Sequence, residues 1–316
     1  MFTQKIYNPQ QIHSEMFIIK EKPDDFIVKE KINLIFNKQG RYAYYELQKK
    51  GLTTSEAVKR IAKSFNIDSK YINIAGNKDK HAVTTQFISI NKGQAKNIES
   101  KDLNLKYVGN GDDRISLGCL EGNFFEITVR NVEKLPRELR TIINYFDDQR
   151  FGNNKDNHIL GQLFVERNFK EVCSKLGLLV KENDFVGALR NIPRDVLRMY
   201  INAYQSYLWN ENVKEYISLV EHYEVNYNLG ELYFPLENIK NEEIRDEKFL
   251  LYGYGNGHRE FLFREFPELS QEGDTRKLIS EVQEFKIEKL DPNMYLLKFF
   301  LPKGCYATIV IKSLFG

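Results

Sequence analysis

Ile74-Ala75-Gly76-Asn77-Lys78-Asp79-Lys80-His81-Ala82-Val83-Thr84-Thr85-Gln86, continued by Phe87-Ile88-Ser89-Ile90, is the stretch around which the chain is organised. Before it, Tyr71-Ile72-Asn73-Ile74 alternates with the period of two of a half-buried strand, and Gly76 then releases the backbone into a turn. The order is strand, loop, strand. The loop carries one carboxylate, Asp79, framed by Lys78, Lys80 and His81, and a cationic frame of this kind holds an aspartate ionised at neutral pH. Two readings stand open. One is a lysine-rich surface turn whose aspartate makes an Asx hydrogen bond; the other is an anion placed to act as nucleophile or base while its neighbours meet a polyanion.

The surrounding composition sets limits. The chain has 316 residues, 42% of them hydrophobic, enough for a core and for one large or two medium domains. Its 46 basic and 44 acidic side chains leave a net charge of +2, so a nucleic-acid partner has to be met by a local patch rather than by global charge. Cys119, Cys173 and Cys305 are far apart and odd in number, which indicates neither a disulfide framework nor a zinc site and fits a reduced, cytoplasmic compartment. The polar stretch 1–10 and the lack of any window of about 18 apolar residues give no reason to expect a membrane span.

Working outward, Phe17 to Lys20 and Phe26 to Glu30 read as strands around a Pro23-Asp24-Asp25 turn, together an opening hairpin-like unit. Tyr42 to Leu47 is a further strand. Thr53 or Thr54 caps a helix to about Phe65, with Glu56 in its first turn and Ala57, Val58, Ile61, Ala62 and Phe65 at helical spacing. Leu105 to Tyr107 reads as a strand, and Arg114 to Gly118 as a return to the sheet. Gly122 to Arg130 is a turn feeding a strand that puts Phe125, Ile127 and Val129 on one face. The pattern predicts helices over 135–146, 160–179, 184–189, 193–216 and 275–285, with strands over 286–290 and 295–301. Strands and helices in this order make an α+β fold, with a sheet covered on one face.

Four further stretches decide between the readings of Asp79. Gly76 to Gln86 resembles the G-x-K-D-x-x-A-x-T-x-Q signature of the TruD-type tRNA pseudouridine synthases. Lys20 with Pro23, Asp25, Phe26, Val28 and Glu30 is similar to that family's opening pattern, Gly122-Asn123-x-Phe125 to its G-N-x-F motif, and Asn144 to Gly152 to its N-Y-F-x-x-Q-R-F-G motif. Further likenesses follow at 202–210 and at 299–312. The resemblance implies a mixed, mostly antiparallel sheet of pseudouridine synthase type, with an inserted, mainly helical α/β domain. The expected boundaries are 1–152 and 275–316 for the catalytic domain and 153–274 for the insertion.

The implied reaction breaks the N1 to C1′ bond of a uridine in tRNA, uridine 13 in the usual case, turns the base, and joins C5 to C1′. No atom is gained or lost, and neither metal nor cofactor is called for. The nucleotide has to be drawn from its stack. The resemblance gives Asp79 the catalytic role and brings Lys20 to it. It makes Phe125 a platform for the base, places Asn123 on the loop or nucleotide, and sets Gln86, Arg150, Lys78, Lys80 and His81 at the substrate. Three of them have a plainer reading, Lys20 as a strand-end lysine, Phe125 as core, and Arg150 as a helix C-terminal cation with Gly152 as cap; Trp209 reads as core. Two other functions compete. One is an RNA binder without catalysis; the other is a hydrolase using Asp147 and Asp148, although these acids read better as solvated. No obligatory protein partner is indicated.

Overall fold

The computed structural model describes residues 12–13, 17–133, 136–236 and 247–316. The chain divides into two compact units, one of residues 1–140, 281–307 and 315, the other of residues 141–280, 308–314 and 316.

The first unit is built on an 11-stranded sheet. Along its main path the order is Ile12–His13, Ile18–Ile19, Gly122–Arg130, Phe26–Lys31, Val83–Asn91, Tyr42–Lys50, Leu103–Gly111 and Ile98–Glu99. Gln283–Asp291 and Met294–Pro302 extend it beside Gly122–Arg130, and Ile72–Ile74 lies on Val83–Asn91. One ladder, Phe26–Lys31 with Val83–Asn91, is parallel, and the others in this sheet are antiparallel. The helix Thr54–Phe65 begins as its sequence dictates: Thr53 Oγ1 accepts from the Glu56 amide, and the Glu56 carboxylate accepts from the Thr53 amide. Its apolar stripe of Ala57, Ile61 and Ala62 packs on Tyr45, Leu47, Ile88, Ile90 and Leu105. The α+β fold with a large mixed sheet is therefore the one expected from the sequence.

Several local expectations fail, for identifiable reasons. Ile18–Ile19 and Phe26–Lys31 are not a hairpin; both lie against Gly122–Arg130. The segment 114–118 is a loop tied to the sheet by single bonds, from the Ile115 amide to Ser89 Oγ and from the Gly118 amide to the Ala75 carbonyl. Gly76 needs no glycine conformation, since its φ is not in the left-handed region and a Cβ would meet open space.

The second unit holds the helices Asn157–Val165, Phe169–Lys175, Phe185–Arg190 and Arg194–Ile217, and two antiparallel ladders, His222–Tyr227 with Gly230–Pro235 and Lys248–Leu251 with Asp274–Lys277. Its core gathers Leu160, Phe164, Val172, Leu197, Ile201, Phe261, Phe263, Phe266 and Leu269. The helix expected over 160–179 is broken in two, because Arg167 turns left-handed (φ 59°) and Asn168 caps a new start. The helix expected over 135–146 is absent from the described residues 136–146, where Thr141–Ile143 is a strand. Leu139, Ile142, Ile143 and Phe146 are all buried, so a stripe that mimics a helix is produced by irregular chain with a β-branched run. The helix expected over 275–285 is likewise replaced by the strands Asp274–Lys277 and Ile279–Glu281. The helix Ala307–Phe315 ends the chain, with 308–314 belonging to this unit. Cys119, Cys173 and Cys305 form no disulfide among the described residues, and no helix among them is long and apolar enough to cross a membrane.

Candidate active site

Asp79 sits in the connection between Ile72–Ile74 and Val83–Asn91, two strands that pair with each other. Its Oδ2 accepts a hydrogen bond from Lys20 Nζ at 2.7 Å, and the two side chains are only 23% and 12% exposed. The carboxylate therefore does not point into open water. Lys20 reaches it from left-handed backbone (φ 57°), a conformation that costs a non-glycine residue about 1 kcal/mol or more and that clusters at functional sites. The same ammonium lies 4.2 Å from the centre of the Phe26 ring. Phe26 in turn meets Phe125 edge to face at 6.2 Å, and Phe125 stacks on Phe299 at 5.5 Å. Acid, lysine and aromatic wall are thus one contiguous arrangement.

The loop is held from beneath. Thr54 Oγ1 accepts from the Lys78 amide at 2.9 Å and donates to Gln86 Oε1 at 3.2 Å, while Gln86 Nε2 donates to the Gly76 carbonyl at 3.1 Å. Gln86 is wholly buried, so its side chain braces the loop. Lys78 does not face outward as a phosphate ligand would. Its ammonium is buried, 2.7 Å from Glu30 Oε2 and 2.8 Å from Asn123 Oδ1. Asn123 is thereby fixed to the loop, and Gly122 before it is required, because a Cβ there would stand 2.2 Å from the Leu301 carbonyl.

Lys49 was missed by the sequence reading. It is 1% exposed, and its ammonium donates to the carbonyls of Leu52 at 2.8 Å, Asp79 at 2.8 Å and Lys78 at 3.3 Å. Burial pushes its pKa down to about 8, against an upward pull from the Asp79 charge. The signal was present: Tyr45, Leu47 and Lys49 share one face of a strand, and the first two are core.

Comparison with known proteins gives the chain a family. The family model of tRNA pseudouridine synthase D (TruD) matches residues 15–177, 172–227 and 234–314. The chain belongs to the TruD family. A tRNA pseudouridine synthase D from Aquifex aeolicus is 32% identical over 377 residues, covering 94% of this chain and 97% of its own. A solved TruD structure from Methanosarcina mazei superposes with a TM-score of 0.67 at 25% identity, covering 94% of this chain and 93% of that one.

The other TruD-like stretches have structural work in the second unit. Asn210 pairs with both backbone groups of Phe146, at 2.9 and 2.8 Å, and Arg150 Nε donates to Ser206 Oγ at 2.9 Å with its guanidinium 5.5 Å from the Phe146 ring centre. Asp147 and Asp148, expected to be solvated, are buried and share Lys312 at 2.5 and 2.7 Å. Three motifs distant in sequence thus close on one another. Of the remaining loop residues, Lys80 is turned outward, 4.0 Å from the exposed Glu56, and His81 is half-buried.

Proposed function

We propose that the chain converts uridine 13 of its tRNA to pseudouridine, with Asp79 as the catalytic group and the target nucleotide turned out of its stack. Membership of the TruD family makes it a tRNA pseudouridine synthase, an isomerase. The Asp79–Lys20 pair is the observation that carries the assignment of roles: a part-buried carboxylate, fixed at one oxygen, beside a wall of aromatic rings. Whether the carboxylate attacks C1′ or removes a sugar proton, it has to be anionic and stationary. Lys20 provides a counter-charge at 2.7 Å, and Lys49 holds the Asp79 carbonyl at 2.8 Å. Phe125 is 8% exposed, so it gives an entering uracil partial contact, drawing on the roughly 1–3 kcal/mol that a stacked base gains. Lys80 and His81 lie in the same loop where phosphates would approach. Three cysteines outside any disulfide suit work in the cytoplasm.

The test is incubation with unmodified tRNA transcripts, followed by carbodiimide mapping of modified uridines. One new stop at position 13 is the expected result. A stop elsewhere rejects the position, and binding without any stop rejects the activity.

Lys49 adds a pH dependence. Its ammonium serves three carbonyls with three donors, and the neutral amine has only two. Because its pKa is lowered to about 8, the charge is complete well below that pH and is lost as pH rises through it. Pseudouridine formation is expected to fall over that window in the wild type. Lys49→Met is expected to be slower, on the order of tenfold, and to lack that alkaline decline. A wild-type rate unchanged between about pH 7 and pH 10 contradicts this role.

A further inference from the structure

We infer that the second unit carries its own phosphodiester-binding cleft, a cavity of about 600 Å³ lined by Arg167, Tyr254, Arg259, Leu262, Arg264 and Glu265, which grips a backbone segment of the substrate tRNA. The inference rests on the tRNA-modifying reading above. Its floor is rigid. The Arg167 guanidinium donates to the carbonyls of Val165 and Glu260, and to that of Leu262 at 2.6 Å, and stacks 4.7 Å over Phe263. This fixes the backbone of 260–262, from whose ends Arg259 and Arg264 project. Both are exposed, and neither guanidinium forms a hydrogen bond or ion pair among the described residues.

Such vacancy is uncommon in this molecule. Arg60, Arg130, Arg140 and Arg194 pair with carboxylates, and Arg150, Arg190, Arg198 and Arg276 bond to hydroxyls or carbonyls. Against Arg167, Arg259 and Arg264 the lining sets one acid, Glu265. Guanidinium groups bind phosphate oxygens with two parallel donors, and two of them standing free above a locked third suit successive phosphates better than one compact anion. Tyr254, 39% exposed, and Leu262, 50% exposed, add an aromatic face and an apolar edge against which a base or ribose can rest.

The experiment uses the full chain with Arg259→Gln and Arg264→Gln together, since both side chains are exposed and brace nothing. Binding to a tRNA transcript is measured across a series of KCl concentrations, beside the single-turnover rate at saturating tRNA. The double variant is expected to raise Kd on the order of tenfold at about 0.1 M salt and to flatten the slope of log K against log salt by about 1.4 to 1.8, the share of two phosphates. Its rate at saturation should stay within about twofold, and Arg259→Lys with Arg264→Lys should restore the slope. An unchanged Kd and slope overturns the cleft, as does a variant that loses rate at saturation with its affinity intact. A variant that binds tRNA normally but loses binding to phosphatidylglycerol vesicles also overturns it and reassigns the patch to a membrane surface. A wild-type protein that forms no pseudouridine, yet shows the arginine-dependent salt slope, sustains the cleft while sinking the proposed activity.

Discussion

Asp79→Asn is expected to reduce pseudouridine formation by at least about 10³-fold, with tRNA affinity and thermal stability close to wild type. The substitution is nearly isosteric. The bond from Lys49 to position 79 goes to the backbone carbonyl, and Thr54, Gln86 and Lys78 brace the loop through atoms outside the Asp79 side chain, so the support survives. An amide oxygen can still accept from Lys20. What disappears is the negative charge that either version of the chemistry needs. Single-turnover measurement at saturating tRNA separates the chemical step from binding. Turnover within about tenfold of wild type would remove Asp79 from the reaction, and an equal loss of affinity would mark it as a loop-forming residue.

The largest expected effect on stability lies in the other unit. Lys312→Met leaves Asp147 and Asp148, whose side chains are 2% and 9% exposed, without their shared cation. Removing one partner of a buried ion cluster typically costs about 3–5 kcal/mol, because the remaining charges stay desolvated. The pH dependence should distinguish this from a simple packing defect. Burial works to raise the Asp147 pKa, but the Lys312 charge and hydrogen bond, with help from Thr308, outweigh it and hold the carboxyl below its ordinary value. Burial also disfavours the Lys312 ammonium, and the two carboxylates overcome that and raise its pKa. The Asp147 contribution is therefore present above the ordinary aspartate pKa and fades as pH falls through the lowered one. The Lys312 contribution is present below the ordinary lysine pKa and fades as pH climbs through the raised one. In the variant the sign for Asp147 reverses: burial, the largest influence, then outweighs the remaining hydrogen bonds from Thr308 and the Asp148 amide, and the folded state gains by taking up a proton. The stability gap between wild type and variant, read by urea unfolding, should narrow as pH drops from about 7 to about 4. A gap under about 1 kcal/mol, or one constant with pH, would show that the triad contributes little.

How much of this was legible in the sequence depended on the range of the interactions. The Thr53–Glu56 cap, the helix it starts and the two strands around Asp79 are local, and their patterns are local too. Lys20 and Asp79 lie 59 positions apart, and only the family likeness joined them before the structure did. Lys49 was overlooked because lysine by type reads as surface, although its place in the strand alternation marked it as inward. Asp147 and Asp148 read as solvated because their counter-ion stands 165 and 164 positions further on. The 141–146 segment failed through a coincidence of period: its apolar residues repeat as in a helix, while Asn144 and Phe146 are tied to Leu278 and Asn210.

The strand Gly122–Arg130 is flanked on one side by Phe26–Lys31 and along its whole other side by Met294–Pro302. During synthesis on the ribosome, the chain therefore emerges with one side of this strand bare until Met294–Pro302 has appeared. Phe125 waits for Phe299 throughout that interval. The aromatic wall beside Lys20 is finished only once Phe299 has been made, and a polypeptide cut short before Met294 would expose a long sticky edge to its neighbours.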